Sequence, residues 1–166
     1  DPELGITAVP GEGTYIPLWI LGSSTLGAQL AAMLGLPYAF ASHFAPDSLD
    51  EALEIYRHRF QPSAQLDKPY SAAAVNVYAA DTEEEAAFIA TSQQQAFVAL
   101  RTGNPGKLKP PVAGYAENLP PNAKAILDHV LQCSVIGTVE QVKAGLQAFK
   151  ARTGADELII TSSIYD

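Results

Sequence analysis

Positive charge, cysteine and histidine are all scarce in this 166-residue chain. Ten Lys and Arg stand against 18 Asp and Glu, a formal net charge of −8. No basic cluster is denser than Arg57-His58-Arg59. Nothing in it neutralises a phosphate polymer or an anionic bilayer, so neither nucleic acid nor a membrane surface is expected as a partner. The single cysteine, Cys133, leaves no internal disulfide, and a reducing cytoplasm is the expected compartment. Three histidines, His43, His58 and His129, show no metal-ligand spacing, so no metal site is expected. Charged residues make up only 17% of the chain against 48% apolar, which excludes disorder and fits one domain with a real core.

An unbroken hydrophobic run is also missing. Gly13 to Pro46 contains no Asp, Glu, Lys or Arg, a length that raises the question of a membrane span of ~20 apolar residues. Pro17, Gly22-Ser23-Ser24-Thr25, Gly35 and Pro37 interrupt it, and the reading is strand, turn, helix, turn, strand. The chain opens Asp1-Pro2 with no basic segment followed by a short apolar core. No signal peptide is expected, and the sequence reads as a fragment of a longer chain.

What is present is alternation. Ile16 to Leu21 is apolar and ends at Gly22, as a strand buried on both faces does. Leu26, Leu30, Met33 and Leu34 recur at helical spacing before Gly35, predicting a helix over about 24–34 with that stripe inward. Tyr38 to Ala41 reads as a second strand. Ser48-Leu49-Asp50-Glu51 has capping-box form, with Leu49, Ala52, Leu53, Tyr56 and Phe60 as the apolar stripe of the helix that follows. Tyr70 to Ala80 is strand material, and Asp81-Thr82-Glu83-Glu84 opens a long helix with Ile89, Gln93, Ala96, Phe97 and Leu100 on one face. Gly103 to Asn122 is rich in Pro and Gly and is expected to be an irregular, mobile excursion. A short helix near Ile126 to Leu131 follows, then a capping box at Thr138-Val139-Glu140-Gln141, a helix to Gly154 and a fourth strand at Glu157 to Thr161.

Strands alternating with amphipathic helices imply a parallel sheet with right-handed crossovers in one domain over 1–166. Four strands are small for a doubly wound fold and are half of an eight-stranded barrel, which takes ~250 residues. In either fold the ligand site lies beyond the strand C-termini, where four places qualify. Gly22-Ser23-Ser24-Thr25 offers free N–H groups, a helix start and hydroxyls for a phosphate, or an ordinary serine cap. His43 suits a hydrogen bond to a cofactor or proton donation, or else caps the loop. Asn76, inside an apolar strand, reads as a satisfied buried amide or an outward-facing position rather than a ligand contact. Thr161-Ser162-Ser163 is a short hydroxyl cluster. Cys133 with His129 one turn earlier makes a weak nucleophile pair.

Pro17-Leu18-Trp19-Ile20-Leu21-Gly22-Ser23-Ser24, Leu34-Gly35-Leu36-Pro37-Tyr38-Ala39-Phe40-Ala41-Ser42-His43-Phe44, and Ile136-Gly137-Thr138 with Asp156-Glu157-Leu158-Ile159 together resemble the bacterial luciferase-like flavin monooxygenases. The resemblance implies strands five to eight of a (β/α)8 TIM barrel, with strands one to four and the last helix absent. It also implies FMN, or the deazaflavin F420 in some branches, as cofactor. For an intact relative it implies reduced flavin and dioxygen acting on a small organic substrate, or hydride transfer in an F420-type relative. By motif position, Ser24 with Ser23 and the surrounding N–H groups falls on the flavin-phosphate contact, and His43 falls near the flavin ring. The expected partners are flavin, a small-molecule substrate, and either a second copy or the missing half-barrel. A catalytically inert half-barrel that folds as an oligomer is the alternative.

Overall fold

A computed structural model describes Gly5 and residues 9–165. The elements alternate as expected: β1 (Ile20–Gly22), α1 (Thr25–Leu34), β2 (Tyr38–Phe40), α2 (Leu49–Arg59), β3 (Ser71–Ala79), α3 (Glu83–Arg101), α4 (Pro121–Val130), β4 (Ser134–Gly137), α5 (Val139–Thr153) and β5 (Glu157–Thr161). Every strand pairing is parallel, so helices carry the chain back across the sheet between strands.

The sheet has five strands where the sequence predicts four. Ala72 and Ala73 are flanked by β2 and β5, while Asn76 faces Ser134 of β4 and Thr161 of β5 at once. β5 therefore lies along one edge of β3 from Ala72 to Asn76, and β2 and β4 lie end to end along the other. The additional strand, β4, is only four residues long and shares an edge, which local sequence does not reveal.

Tyr38, Phe40, Ala73 and Val75 project to the helix side and pack with Ala28, Leu49, Leu53 and Tyr56 in the main core. The Tyr56 hydroxyl ties two loops, accepting the Tyr70 N–H at 3.0 Å and donating to the Leu36 carbonyl at 2.9 Å. Helix α2 buries Leu49, Ala52, Leu53 and Tyr56 as its periodicity predicts, but Ser48 makes no side-chain cap. The other predicted capping box is complete at α5, where Thr138 accepts from the Gln141 N–H and the Gln141 side chain accepts from the Thr138 N–H.

Two expectations about faces and one about a strand's bounds change. In α1 the buried residues are Ala28, Ala31 and Ala32, whereas Leu26 is 74% and Met33 60% exposed. The cause lies at Gly22 and Gly27: a Cβ on Gly27 would sit 3.3 Å from the Gly22 Cα and 3.4 Å from the Tyr38 ring. Helix and strand approach too closely there for a leucine, so the small residues face inward and the large stripe outward. In α3, Phe97 alone of the predicted stripe is buried, and Gln94 points inward instead. The strand predicted over 16–21 shrinks to Ile20–Gly22, because the Gln65 amide occupies the Leu18 backbone at 3.1 and 2.9 Å, a role otherwise taken by a neighbouring strand.

The excursion after α3 divides in two. Residues 103–109 are almost wholly exposed. From Pro110 onward the chain folds back on α3, held by Gln95 Nε2 on the Pro110 carbonyl at 2.8 Å and by the Val112 N–H on Thr91 Oγ1 at 2.9 Å. Tyr115, Ala116 and Leu119 then join Phe97, Leu127 and Val130 in a second apolar cluster.

Candidate functional site

The first two loops at the strand C-termini stand side by side, because β1 and β2 pair with Gly22 opposite Phe40. Ser24 is the N-cap residue of α1 by position, with extended φ and ψ of −150° and 169°, yet its side chain caps nothing. Ser23 and Ser24 are exposed, and the first N–H groups of α1 point into the same space. The ordinary serine cap is thus not what this residue forms. From below, the Tyr38 hydroxyl donates to the Ser24 carbonyl at 3.1 Å, and burial pushes the Tyr38 pKa up to about 12, so it remains a donor across the accessible pH range. Gly22 matters on the side away from this space, where Tyr38 and Gly27 fill the volume of any Cβ.

The loop after β2 is held from several elements. Ser42 Oγ donates to the Ala74 carbonyl at 2.5 Å, Asn76 Nδ2 to the His43 carbonyl at 2.6 Å, and Arg101 Nη2 to the Phe44 carbonyl at 2.7 Å. Asp47 pairs with His129 Nε2 at 2.5 Å. None of these ties reaches the His43 imidazole. The His43 ring packs edge-on to Phe44 at 4.8 Å, and its Nδ1 is enclosed with no hydrogen-bond partner. Burial lowers the His43 pKa, which favours the neutral imidazole.

Asn76, on β3, joins the sequence candidates that follow β2 and end β5. Besides the His43 carbonyl, its Nδ2 reaches Ser134 Oγ at 3.3 Å, and its Oδ1 accepts from Thr161 Oγ1 at 2.8 Å. It is the satisfied buried amide the sequence suggests, 2% exposed. Ser134, Arg101 and Ser42 were not singled out by sequence, since their partners lie 30 to 60 residues away and no local pattern marks them. Cys133 and His129 are drawn apart: His129 turns to Asp47, while the buried Cys133 Sγ lies 3.7 Å from Arg152 Nη2 with its pKa raised by burial. No nucleophile pair forms.

Among the described residues no cluster of His, Cys, Asp and Glu is arranged to hold a metal ion. No described helix is long and apolar enough to cross a membrane. The groups that fit a cofactor are neutral donors: the Ser23 and Ser24 hydroxyls and the α1 N-terminus suit a phosphate, and the fixed loop bearing His43 stands on the adjacent strand. The face of the sheet away from the helices carries Leu21, Ile159 and Thr161, in register with Ala39, Ala74 and Asn76.

Comparison with known proteins bears on the fold and the family. A luciferase-like monooxygenase from Escherichia coli (strain K12) is 47% identical over 166 residues, all of this chain and 50% of that protein. The crystal structure of apo-MsnO8 superimposes with a TM-score of 0.74 at 30% identity, over 100% of this chain and 51% of that one. Two more distant structures share the fold. Riboflavin lyase, solved with modified FMN and riboflavin, has a TM-score of 0.52 at 17% identity, over 89% of this chain and 41% of that one. The F420-dependent tetrahydromethanopterin reductase of Methanopyrus kandleri has 0.54 at 15% identity, over 92% of this chain and 46% of that one. The chain spans about half the length of the curated relatives it matches. The architecture is accordingly half of a TIM barrel of this type, with parallel strands alternating with helices. The family model for luciferase-like monooxygenases matches residues 2–157, and the chain belongs to that family.

Proposed function

We propose that this chain is the second half of a flavin-dependent monooxygenase, in which Gly22, Ser23, Ser24 and Thr25 seat the flavin phosphate and His43 lies beside the ring. The observation that carries the reading is the Ser24 hydroxyl, unused by its own helix and exposed beside free N–H groups at the start of α1. FMN is the cofactor of this reading and F420 the alternative; the FMN-type and F420-dependent neighbours support a flavin-type ligand without separating the two. When bound, the flavin supplies the redox chemistry, with dioxygen and a small organic substrate as co-reactants.

The chain's own residues bind and orient. Ser23 and Ser24 hold phosphate oxygens with the α1 N–H groups, and Tyr38 fixes the Ser24 carbonyl from behind. His43, neutral and held by its backbone, presents an imidazole able to hold or move a proton at neutral pH. A complete ring pocket requires the first four strands, supplied by the other half of the barrel.

Titration of the chain with FMN and with inorganic phosphate, followed by amide shifts, tests the seat. Residues 22–26 are expected to respond to both, and Ser24→Ala to weaken binding by roughly 0.5–1.5 kcal/mol, the scale of one hydrogen bond. Silence of these amides at millimolar ligand overturns the phosphate seat. It would favour the second reading, an inert half-barrel that associates through its apolar flanks, where Leu21, Leu26 and Ile160 are 70%, 74% and 51% exposed.

A further inference from the structure

His43 is fixed by its backbone and left alone at its ring. Its carbonyl accepts from the buried Asn76 amide at 2.6 Å, and the next carbonyl, that of Phe44, accepts from Arg101 Nη2 at 2.7 Å. The imidazole stands edge-on to the Phe44 ring, centroids 4.8 Å apart. Its two nitrogens differ. Nδ1 is enclosed and meets no hydrogen-bond partner, while Nε2, also without a partner among the described residues, is not enclosed. Asp47, the carboxylate of the same loop, is turned to His129. Among the described residues no acceptor stands ready for a proton at Nδ1.

A histidine ring carries its protons in one of three ways: on Nδ1, on Nε2, or on both as the cation. Two of the three strand an N–H donor in the enclosed space at Nδ1, and the cation adds an unpaired charge to it. The remaining one leaves only a lone pair inside, and buried acceptors go unpartnered more often than buried donors do. Its N–H sits on the nitrogen that a ligand can reach. Burial lowers the His43 pKa, which works against the cation in the same sense.

We propose that His43 is held as the Nε2–H tautomer and serves as a neutral hydrogen-bond donor, selecting a ligand group that accepts, such as a carbonyl, a ring nitrogen or an oxyanion. The role toward a ligand rests on the proposed placement of His43 beside a flavin ring; the tautomer follows from the enclosure of Nδ1 alone. A neutral imidazole of this kind stabilises negative charge gathering on the acceptor while holding its proton rather than passing it on. It rejects a donor at the same place, because neither nitrogen then offers a reachable lone pair.

Long-range proton–nitrogen correlation spectra of the full chain, labelled with nitrogen-15 histidine and assigned with His43→Gln, read the tautomer directly. At pH 7.5 Nε2 is expected in the range of protonated ring nitrogens and Nδ1 in the range of unprotonated ones. FMN is expected to move the Nε2 signal and leave Nδ1 unprotonated. His43→Leu, which removes the donor, is expected to weaken FMN at least threefold, and His43→Gln, which keeps a neutral N–H, to stay within twofold of the native chain. A protonated Nδ1, or two nitrogens with averaged shifts, overturns the tautomer whatever FMN does. Equal affinity losses in the Leu and Gln variants, or an Nε2 signal that stays still while the amides of 22–26 respond to FMN, overturn the donor role and spare the phosphate seat. Silent amides at 22–26 overturn the flavin reading and leave the tautomer to be judged by the spectrum of the free chain.

Discussion

The centre and the flanks of this sheet are made of similar apolar residues and lead opposite lives. In β3, Ala72, Ala73, Ala74, Val75 and Tyr78 are at most 1% exposed, and Phe40 beside them is fully buried. At the flanks, Leu21 on β1 and Ile160 on β5 are 70% and 51% exposed, and α1 turns Leu26 and Met33 outward. Apolar character alone does not separate the two regions; neighbours do. The centre has strands on both edges and helices on one face, whereas β1 and β5 each have one free edge. An apolar flank of this extent is the kind of surface that other protein covers, and the curated relatives are about twice as long as this chain.

The comparison can be broken most directly by truncating one leucine in each region. Leu53→Ala, 1% exposed in the main core, is expected to cost about 2–5 kcal/mol, and Leu26→Ala to stay within about 0.5 kcal/mol in the isolated chain, both read from urea midpoints. Equal losses would mean that the flank is already covered. Next in size, Asn76→Ala removes the amide that links His43, Ser134 and Thr161 and is expected to cost about 1–3 kcal/mol, with faster amide exchange in residues 42–46. Exchange confined to β3 and β5 would show that the loop after β2 is held without it.

Self-association sharpens the comparison at little cost in stability. The chain is expected to be a dimer or larger at micromolar concentration by light scattering, and Leu26→Glu combined with Ile160→Lys to shift it toward monomer without lowering the urea midpoint by more than about 1 kcal/mol. A monodisperse wild-type monomer would contradict it. The smallest effect concerns pH. Because burial lowers the His43 pKa in the folded chain, the unfolded chain takes up its proton first as pH falls through the ordinary value near 6.5. Stability present above that value is lost below it, levelling off under the folded pKa. His43→Gln is expected to flatten that part of the profile between pH 7.5 and 5.5; an unchanged slope would assign it to other groups.

The same contrast explains which parts of the molecule were legible in the sequence. Helix α2 was plain because Asp50 and Glu51 open it, Arg57 to Arg59 close it, and its large residues face the core. Helix α1 was located correctly but turned the wrong way, because its leucines show the stronger period while Gly27, Ala28, Ala31 and Ala32 make the contact. The small-residue stripe was the available signal. Ser24 and His43 could be placed by their position after apolar strands. What they do with their neighbours could not, since the loop after β2 is held by Ala74, Asn76 and Arg101, whose contributions arise only once the chain is folded. The return of the chain onto α3 after Pro110 was hidden for a related reason: the Pro/Gly-rich segment reads as an excursion until Thr91 and Gln95 bring it back.

The double occupancy of one edge of β3 has a consequence in time. Its partners are β2, already made when β3 leaves the ribosome, and β4 and β5, which begin at Ser134 and Glu157. At roughly 5–20 residues per second, β3 therefore waits on the order of ten seconds with one edge bare and half of the other uncovered. During that interval its alanine-rich and valine-containing backbone is open to any extended segment that meets it. The units up to β3 cannot settle independently, because β5, made after them, completes the most buried strand.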